Sequence, residues 1–297
     1  MKLIDFHTHI YPDAIALKAT QSIESFYSMK AENVGTAARL LEVSEENGIV
    51  LSVVLPVAVK PSGVSHINDF AADMQKKHKE FYCFGTVHAG MDGIEAEAER
   101  LMGMGLHGIK LHPDTQLFDI DDKRMYPVYE MIEGRIPLMV HSGDYRYSYS
   151  HPERLRRVMK DFPRLVTIAA HFGRWSMPDE GTKQLSDMEN CFVDISSSFD
   201  RISLEKGAEL VSVFGEDRVL FASDFPLGSP TVERENLMRM KLSDDVREKI
   251  AYKNAERLLR FEGEKKLCLN GTRIILIYVK EYFLRVSVLK TERALIL

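Results

Sequence analysis

Cysteine is scarce in the chain. Three occur in 297 residues, Cys83, Cys191 and Cys268, widely spaced and with no C-x-x-C pair. An odd, scattered set excludes a disulfide framework and a zinc ribbon and suits a reducing cytosol, where the three read as inert core thiols. Long apolar runs are missing too. Stretches such as Ile49 to Val57 break within roughly ten residues, whereas a membrane span takes about twenty. The first residues, Met-Lys-Leu-Ile-Asp-Phe-His, reach polar and imidazole groups at once, without the apolar segment and small-residue cleavage site of a signal peptide. The expectation is a soluble, cytoplasmic protein. Positive charge is not in excess: 39 Lys and Arg stand against 44 Asp and Glu, a formal net charge of −5. Nucleic acid is therefore excluded as a general partner, because phosphate binding needs a clustered basic surface. The expected partner is a small molecule.

What is present is an ordinary globular composition, 45% hydrophobic and 28% charged, in a chain long enough for a large core. Eight short apolar or β-branched runs recur: 2–6, 49–56, 81–87, 108–111, 136–140, 165–170, 191–195 and 218–222. Between them lie segments of helical period, 34–46, 65–78, 93–103, 125–133, 151–162 and 204–214. In Ser150-His151-Pro152-Glu153, a Ser cap and an early Pro mark a helix start. This alternation predicts an α/β fold with a parallel sheet, closed as a (β/α)8 TIM barrel over residues 1–262; a doubly wound open sheet is the alternative. Residues 263–297 break the alternation and form an extension of unknown structure: a hairpin, a dimerising strand or a tail.

Two imidazoles two residues apart in Asp5-Phe6-His7-Thr8-His9 end the first run, and strand alternation turns both to one side, where they can reach one metal ion. A lone His-x-His is weak. Further donor residues end other runs, where barrel active sites are assembled: His141 after the fifth, His171 after the sixth and Asp224 after the eighth. Lys110 and His112 share one side at the end of the fourth.

Asp5-Phe6-His7-Thr8-His9, Val140-His141-Ser142-Gly143, Ala170-His171-Phe172-Gly173 and Phe221-Ala222-Ser223-Asp224-Phe225-Pro226 resemble the motifs of the amidohydrolase superfamily. They are most similar to the amidohydrolase-related branch that contains aminocarboxymuconate-semialdehyde decarboxylase and related lactone hydrolases. The resemblance runs in motif order from residue 1 to about 261, and Asn254 to Leu259 looks like the branch's closing helix. It implies that His7, His9, His141 and Asp224 ligate one divalent ion, Zn in first place with Mn, Fe or Co as alternatives, and that His171 and Asp224 move protons. It also implies roles for Lys110 and His112 in orienting substrate. In binuclear members of the superfamily a lysine on this strand is carboxylated and bridges two ions, so a second metal on carboxylated Lys110 is the alternative. Arg174 stands where relatives often have a second glycine, which bears on the substrate. Arg174 and Arg146 are candidates to hold a substrate carboxylate. Members of the branch often dimerise, so a homodimer is an expectation.

A divalent ion brings the pKa of bound water down towards about 7. The first expectation is accordingly hydrolysis of a small carbonyl compound, an amide, ester or lactone. The alternatives are nonoxidative decarboxylation of an unsaturated or aromatic acid at the same residues, and a noncatalytic metal-binding assembly protein. His66, His78, His88, His107 and His151 read as surface or structural, Trp175 as packing, and the fourteen methionines as core filler. Asp144, Asp194 and Asp200 are unassigned neighbours that could orient an imidazole.

Overall fold

In a computed structural model, the structure describes residues 1–260, 266–269, 272–276 and 286–288. The chain divides into two units, Met1–Ala255 and Glu256–Leu297. The first runs β1 (Leu3–Thr8), α1 (Asp13–Tyr27), α2 (Ala37–Asn47), β2 (Ile49–Val54), α3 (Val64–Lys77), β3 (Phe81–Cys83), α4 (Ile94–Gly103), β4 (Ile109–Leu111), α5 (Pro113–Gln116), α6 (Tyr126–Ile132), β5 (Leu138–Val140), α7 (Pro152–Asp161), β6 (Thr167–Ala169), α8 (Pro178–Leu185), β7 (Cys191–Asp194), α9 (Leu204–Phe214), β8 (Val219–Leu220), α10 (Pro230–Arg239) and α11 (Asp244–Glu248); α12 (Asn254–Arg260) follows.

Strands β1 to β3 and β4 to β8 pair in sequence order, all parallel. Two seams join these sheets into a closed barrel. At one, Gly85 N–H donates to Gly108 O and Lys110 N–H to Gly85 O, each at 2.8 Å; at the other, Phe6 N–H donates to Phe221 O and Asp224 N–H to His7 O, each at 2.9 Å. Every residue of β1, β4, β5 and β6 is buried, as strands between a filled barrel interior and an outer helix layer must be. The helices supply that layer with one face each; in α2 the inward face is Leu40, Val43, Ser44 and Asn47, at the i, i+3, i+4, i+7 spacing. Thr36 caps α2 by accepting from Arg39 N–H at 3.1 Å, and Gly48 ends it in the left-handed conformation.

The eight expected strands are all found, most of them shorter than the apolar runs that announce them. α1, α5, α8, α10 and α11 lie outside the six expected helical segments. α1 buries only Ala16 and Thr20, its apolar stripe of Ile15, Ala19, Ile23 and Phe26 lining a cavity. The cap of α7 is His151, whose Nδ1 accepts from Glu153 N–H at 3.3 Å, and not Ser150. Ser150 instead closes the preceding loop, its Oγ accepting from Asp144 N–H and its N–H donating to Asp114.

The second unit holds an antiparallel sheet of order β11-β10-β9, built from β9 (Lys266–Leu269), β10 (Thr272–Leu276) and β11 (Val286–Val288), with Cys268 opposite Arg273 and Ser287 opposite Ile275. The remainder of the expected 263–297 extension lies outside the described residues. No helix among the described residues is long and apolar enough to cross a membrane.

Candidate active site

At the C-terminal end of the barrel His7 Nε2 and His9 Nε2 lie 3.1 Å apart, and each is 3.5 Å from Asp224 Oδ1. The hydrogen bonds on the far side of each ring fix what those atoms are. His9 Nδ1 faces the Leu55 carbonyl at 2.6 Å and His7 Nδ1 faces Asp194 Oδ2 at 3.1 Å; both partners only accept, so both Nδ1 atoms carry the proton. Two Nε2 lone pairs and a carboxylate oxygen are thereby turned on one point. Such a set repels itself unless a cation or proton stands between, and its donor chemistry fits a divalent metal. Burial keeps His7 neutral, its pKa held well below the ordinary imidazole value by desolvation and by Lys110. Burial works against the Asp224 carboxylate, yet His7, His9 and His171 around it hold its pKa below the usual range. The Lys110 ammonium Nζ is 3.1 Å from His7 Nε2, fully buried, and desolvation brings its pKa down to about 8.

His171 and Asp194 complete a second donor group with His7. Asp194 Oδ1 accepts from His171 N–H, Ser196 N–H and Ser196 Oγ at 3.1, 3.0 and 2.6 Å. His171 Nδ1 donates to Ser196 O at 3.0 Å, which turns its Nε2 towards His141 Nδ1, 3.2 Å away. His141 thus lies beside His171, in a third donor group with Asp114 and Asp144 and not in the group of His7, His9 and Asp224. Its ring stacks on that of His112, centroids 4.1 Å apart. Local backbone geometry serves this convergence: His171, Phe172, Ser197 and Asp224 all adopt positive φ, between 47° and 62°. Each costs on the order of 1–3 kcal/mol in a non-glycine residue. Ser197 Oγ returns a hydrogen bond to Asp224 Oδ2 at 2.7 Å. Gly143, at φ 85°, lets the loop after β5 touch the backbone of Arg174, where a Cβ would meet Arg174 Cα at 2.6 Å.

The donors form the inner end of a cavity of about 610 Å³. Its walls come from α1 (Ile15, Ala19, Ile23, Phe26), the segment after β2 (Leu55 to Val59) and α3 (Ile67, Phe70), and no lysine or arginine lines it. Arg174 is elsewhere. It lines a smaller cavity of about 190 Å³ with Trp175, Ser176, Ser198, Arg201 and Ile202, which meets the first only at His171. Arg146 does not reach a substrate position: its guanidinium grips Asp144 (2.7 to 3.2 Å) and donates to Phe26 O at 2.6 Å, tying the loop after β5 to the end of α1.

Sequence reasoning missed Tyr27, whose hydroxyl hydrogen-bonds His112 Nε2 at 2.6 Å and lies 3.5 Å from His141 Nε2. It comes from a helix rather than a strand end, so the strand-end rule passed over it. Asp194 ends β7 and the same rule applied there would have assigned it. His66, read as structural, borders the cavity. His88, His107 and His151 stay with their structural reading, against Phe118, against Tyr82 and as a helix cap.

The family model described as Amidohydrolase matches residues 4–261. No curated protein matches the chain significantly. Among solved structures, an uncharacterised TIM-barrel protein from Bordetella bronchiseptica is similar at 21% identity and a TM-score of 0.75, covering 89% of this chain and 100% of its own. A dihydroxybenzoic acid decarboxylase from Polaromonas sp. JS666, solved with bound manganese and the inhibitor 2-nitroresorcinol, is similar at 15% identity and 0.68, covering 87% and 97%. The 5-carboxyvanillate decarboxylase of Sphingomonas paucimobilis is similar at 17% and 0.66, covering 87% and 99%. At these identities the structural likeness carries the TIM-barrel fold. The family match spans the barrel and every donor described above, and the chain belongs to the amidohydrolase family.

Proposed function

We propose that this enzyme is a metal-dependent nonoxidative decarboxylase of an aromatic or unsaturated carboxylic acid. The observation that carries the reading is the convergence of His7 Nε2, His9 Nε2 and Asp224 Oδ1 at the inner end of a cavity walled by apolar side chains. A carboxylate drawn into such walls loses hydration and is relieved by leaving as neutral carbon dioxide. The decarboxylases among the similar structures support this chemistry over hydrolysis. His7, His9 and Asp224 hold one divalent ion, with His141 as the fourth donor that the family resemblance supplies; manganese, zinc, iron and cobalt all suit this set. Bound there, the ion supplies positive charge that draws electron density out of the substrate.

The remaining work falls to side chains. The bond between the substrate carbon and its carboxylate carbon breaks, the electron pair stays on the substrate carbon, and that carbon takes up one proton; carboxylate and proton become the unsubstituted compound and carbon dioxide. Because Nδ1 of His171 is committed to the Ser196 carbonyl, its Nε2 is the atom that first takes up a proton from solvent and then delivers it to that carbon. His112 orients the substrate from the cavity wall, Lys110, outside the lining, acts on it only through its contact with His7, and Arg174, which lies outside the main cavity, orients only a substrate that reaches past His171.

A second reading is hydrolysis of an amide, ester or lactone, and one observation favours it: Lys110 Nζ lies 3.1 Å from His7 Nε2, where a carboxylated lysine would serve two ions. Elemental analysis of protein purified without chelator, combined with a carbon dioxide assay on hydroxybenzoates, separates the two. One metal per chain with carbon dioxide release is the expected result. Two metals per chain, with lactones or esters opened and no carbon dioxide from any acid, would establish hydrolysis instead.

A further inference from the structure

The apolar character of the main cavity does not end at its walls. Of the eleven exposed large hydrophobic side chains among the described residues, three, Ile15, Val59 and Leu117, at 51, 57 and 66% exposure, line this one opening. Inside them come Ile23, Phe26 and Phe70. No lysine or arginine is among the lining residues; of the cationic groups nearby, Lys110 lies against His7 Nε2 at the donor end, Arg146 is bound to Asp144 and Arg174 is set in the second cavity. A largely apolar collar of this kind, interrupted by Ser22, His66 and Thr115, marks a binding surface, and its volume is that of a small-molecule pocket.

We infer that the substrate carries a single anionic group, the one that meets the metal donors, on an uncharged apolar body that fills the collar formed by α1, α3 and the segment after β2. A second carboxylate on that body would be stripped of water with no lysine or arginine in the lining to pair it. An alkyl or aryl extension gains by burial. The inference rests on the decarboxylase reading for the identity of the anionic end, and on the cavity alone for the body.

Two acids with the same reacting end test it: 4-hexyl-2-hydroxybenzoate and 2-hydroxybenzene-1,4-dicarboxylate, each titrated calorimetrically into manganese-loaded protein and assayed for carbon dioxide release. The hexyl acid is expected to bind at least about tenfold more tightly, since burial of each methylene is favourable. Ile15→Lys at the exposed rim and Ile23→Lys inside the collar are each expected to narrow that ratio and admit the dicarboxylate; Ile15→Lys, on an exposed position, keeps the test open if Ile23→Lys does not fold. Equal or tighter binding of the dicarboxylate, absence of hexyl-acid binding, or an unchanged ratio in a folded Ile15→Lys protein overturns the inference, whatever is released. Tight, selective binding of the hexyl acid with no carbon dioxide from either acid would sustain the inference and sink the decarboxylase reading.

Discussion

A metal-binding imidazole is defined by the atom it turns away from the metal. Asp194 sets that atom for His7, and its two oxygens are not equivalent: Oδ1 is held by three donors, the N–H groups of His171 and Ser196 and the Ser196 hydroxyl, while Oδ2 faces His7 Nδ1 at 3.1 Å. In Asp194→Asn the amide oxygen must stay with those three donors, so the NH2 faces His7. His7 Nδ1 then becomes the acceptor and its proton moves to Nε2, where the lone pair aimed at His9 and Asp224 is lost. We predict a folded protein whose metal affinity falls by about 10- to 100-fold, the usual range for loss of an outer partner of a ligand. Competition against a chelator measures it, with a thermal melt to verify folding; an unchanged affinity would show that His7 does not hold the ion through Nε2.

At the scale of elements, the roof of the cavity and the outer layer are fastened by different means. α1 buries little of itself and is pinned at its C-terminal end by Arg146, which donates to Phe26 O while grasping the fully buried Asp144. Arg146→Met should leave metal content at its wild-type value and lower stability by on the order of 1–3 kcal/mol, because a buried carboxylate loses its donors. Melting temperature and elemental analysis read the two effects separately, and loss of metal would tie Arg146 to the donors instead of the roof. Helices α3 and α4 are joined through Glu97, which accepts from Asn68 at 2.7 Å, Ser65 at 3.2 Å and Arg100 at 2.8 Å. Burial pushes this carboxyl up, but the hydrogen bonds from Arg100 and Asn68 outweigh it, so the folded pKa lies below the ordinary 4.5. A depressed pKa contributes stability above the unfolded value that is lost as pH falls through the folded one. The gap in melting temperature between wild type and Glu97→Gln should therefore be widest above pH 4.5 and shrink below it; a gap independent of pH would count against an ionised Glu97. These elements also show what a reader of the sequence could see. Buried strands such as β5 stand out because both faces are covered and every residue is apolar, and the donors follow because the strand end is where the chain must leave the barrel. α1 carries an apolar stripe, Ile15, Ala19, Ile23 and Phe26, but it lines the cavity, and its contribution to the site through Phe26 and Tyr27 depends on where the helix comes to rest, which no local pattern records.

Over the whole molecule, closure of the barrel is what turns scattered strand ends into one site. His7 on β1 and Asp224 after β8 are 217 residues apart in sequence, yet the seam that pairs these two ends joins them directly, Asp224 N–H donating to His7 O at 2.9 Å. All the donors, and every wall residue of the cavity, fall within the first unit, Met1–Ala255, and the family match stops at residue 261. The strands β9 to β11 pair with one another, antiparallel, and supply none of the side chains described at the site. A chain ended after Phe261 keeps both seams and every donor, so it is expected to fold, to bind metal with the stoichiometry of the full chain and to retain its turnover. Gel filtration of both proteins at matched concentration adds the oligomeric state: a dimer in the full chain that becomes a monomer in the shortened one, with metal content unchanged, would assign residues 262–297 to association. Loss of metal or of the folded barrel on shortening would show instead that the boundary is wrong and that the first unit depends on the second for its stability.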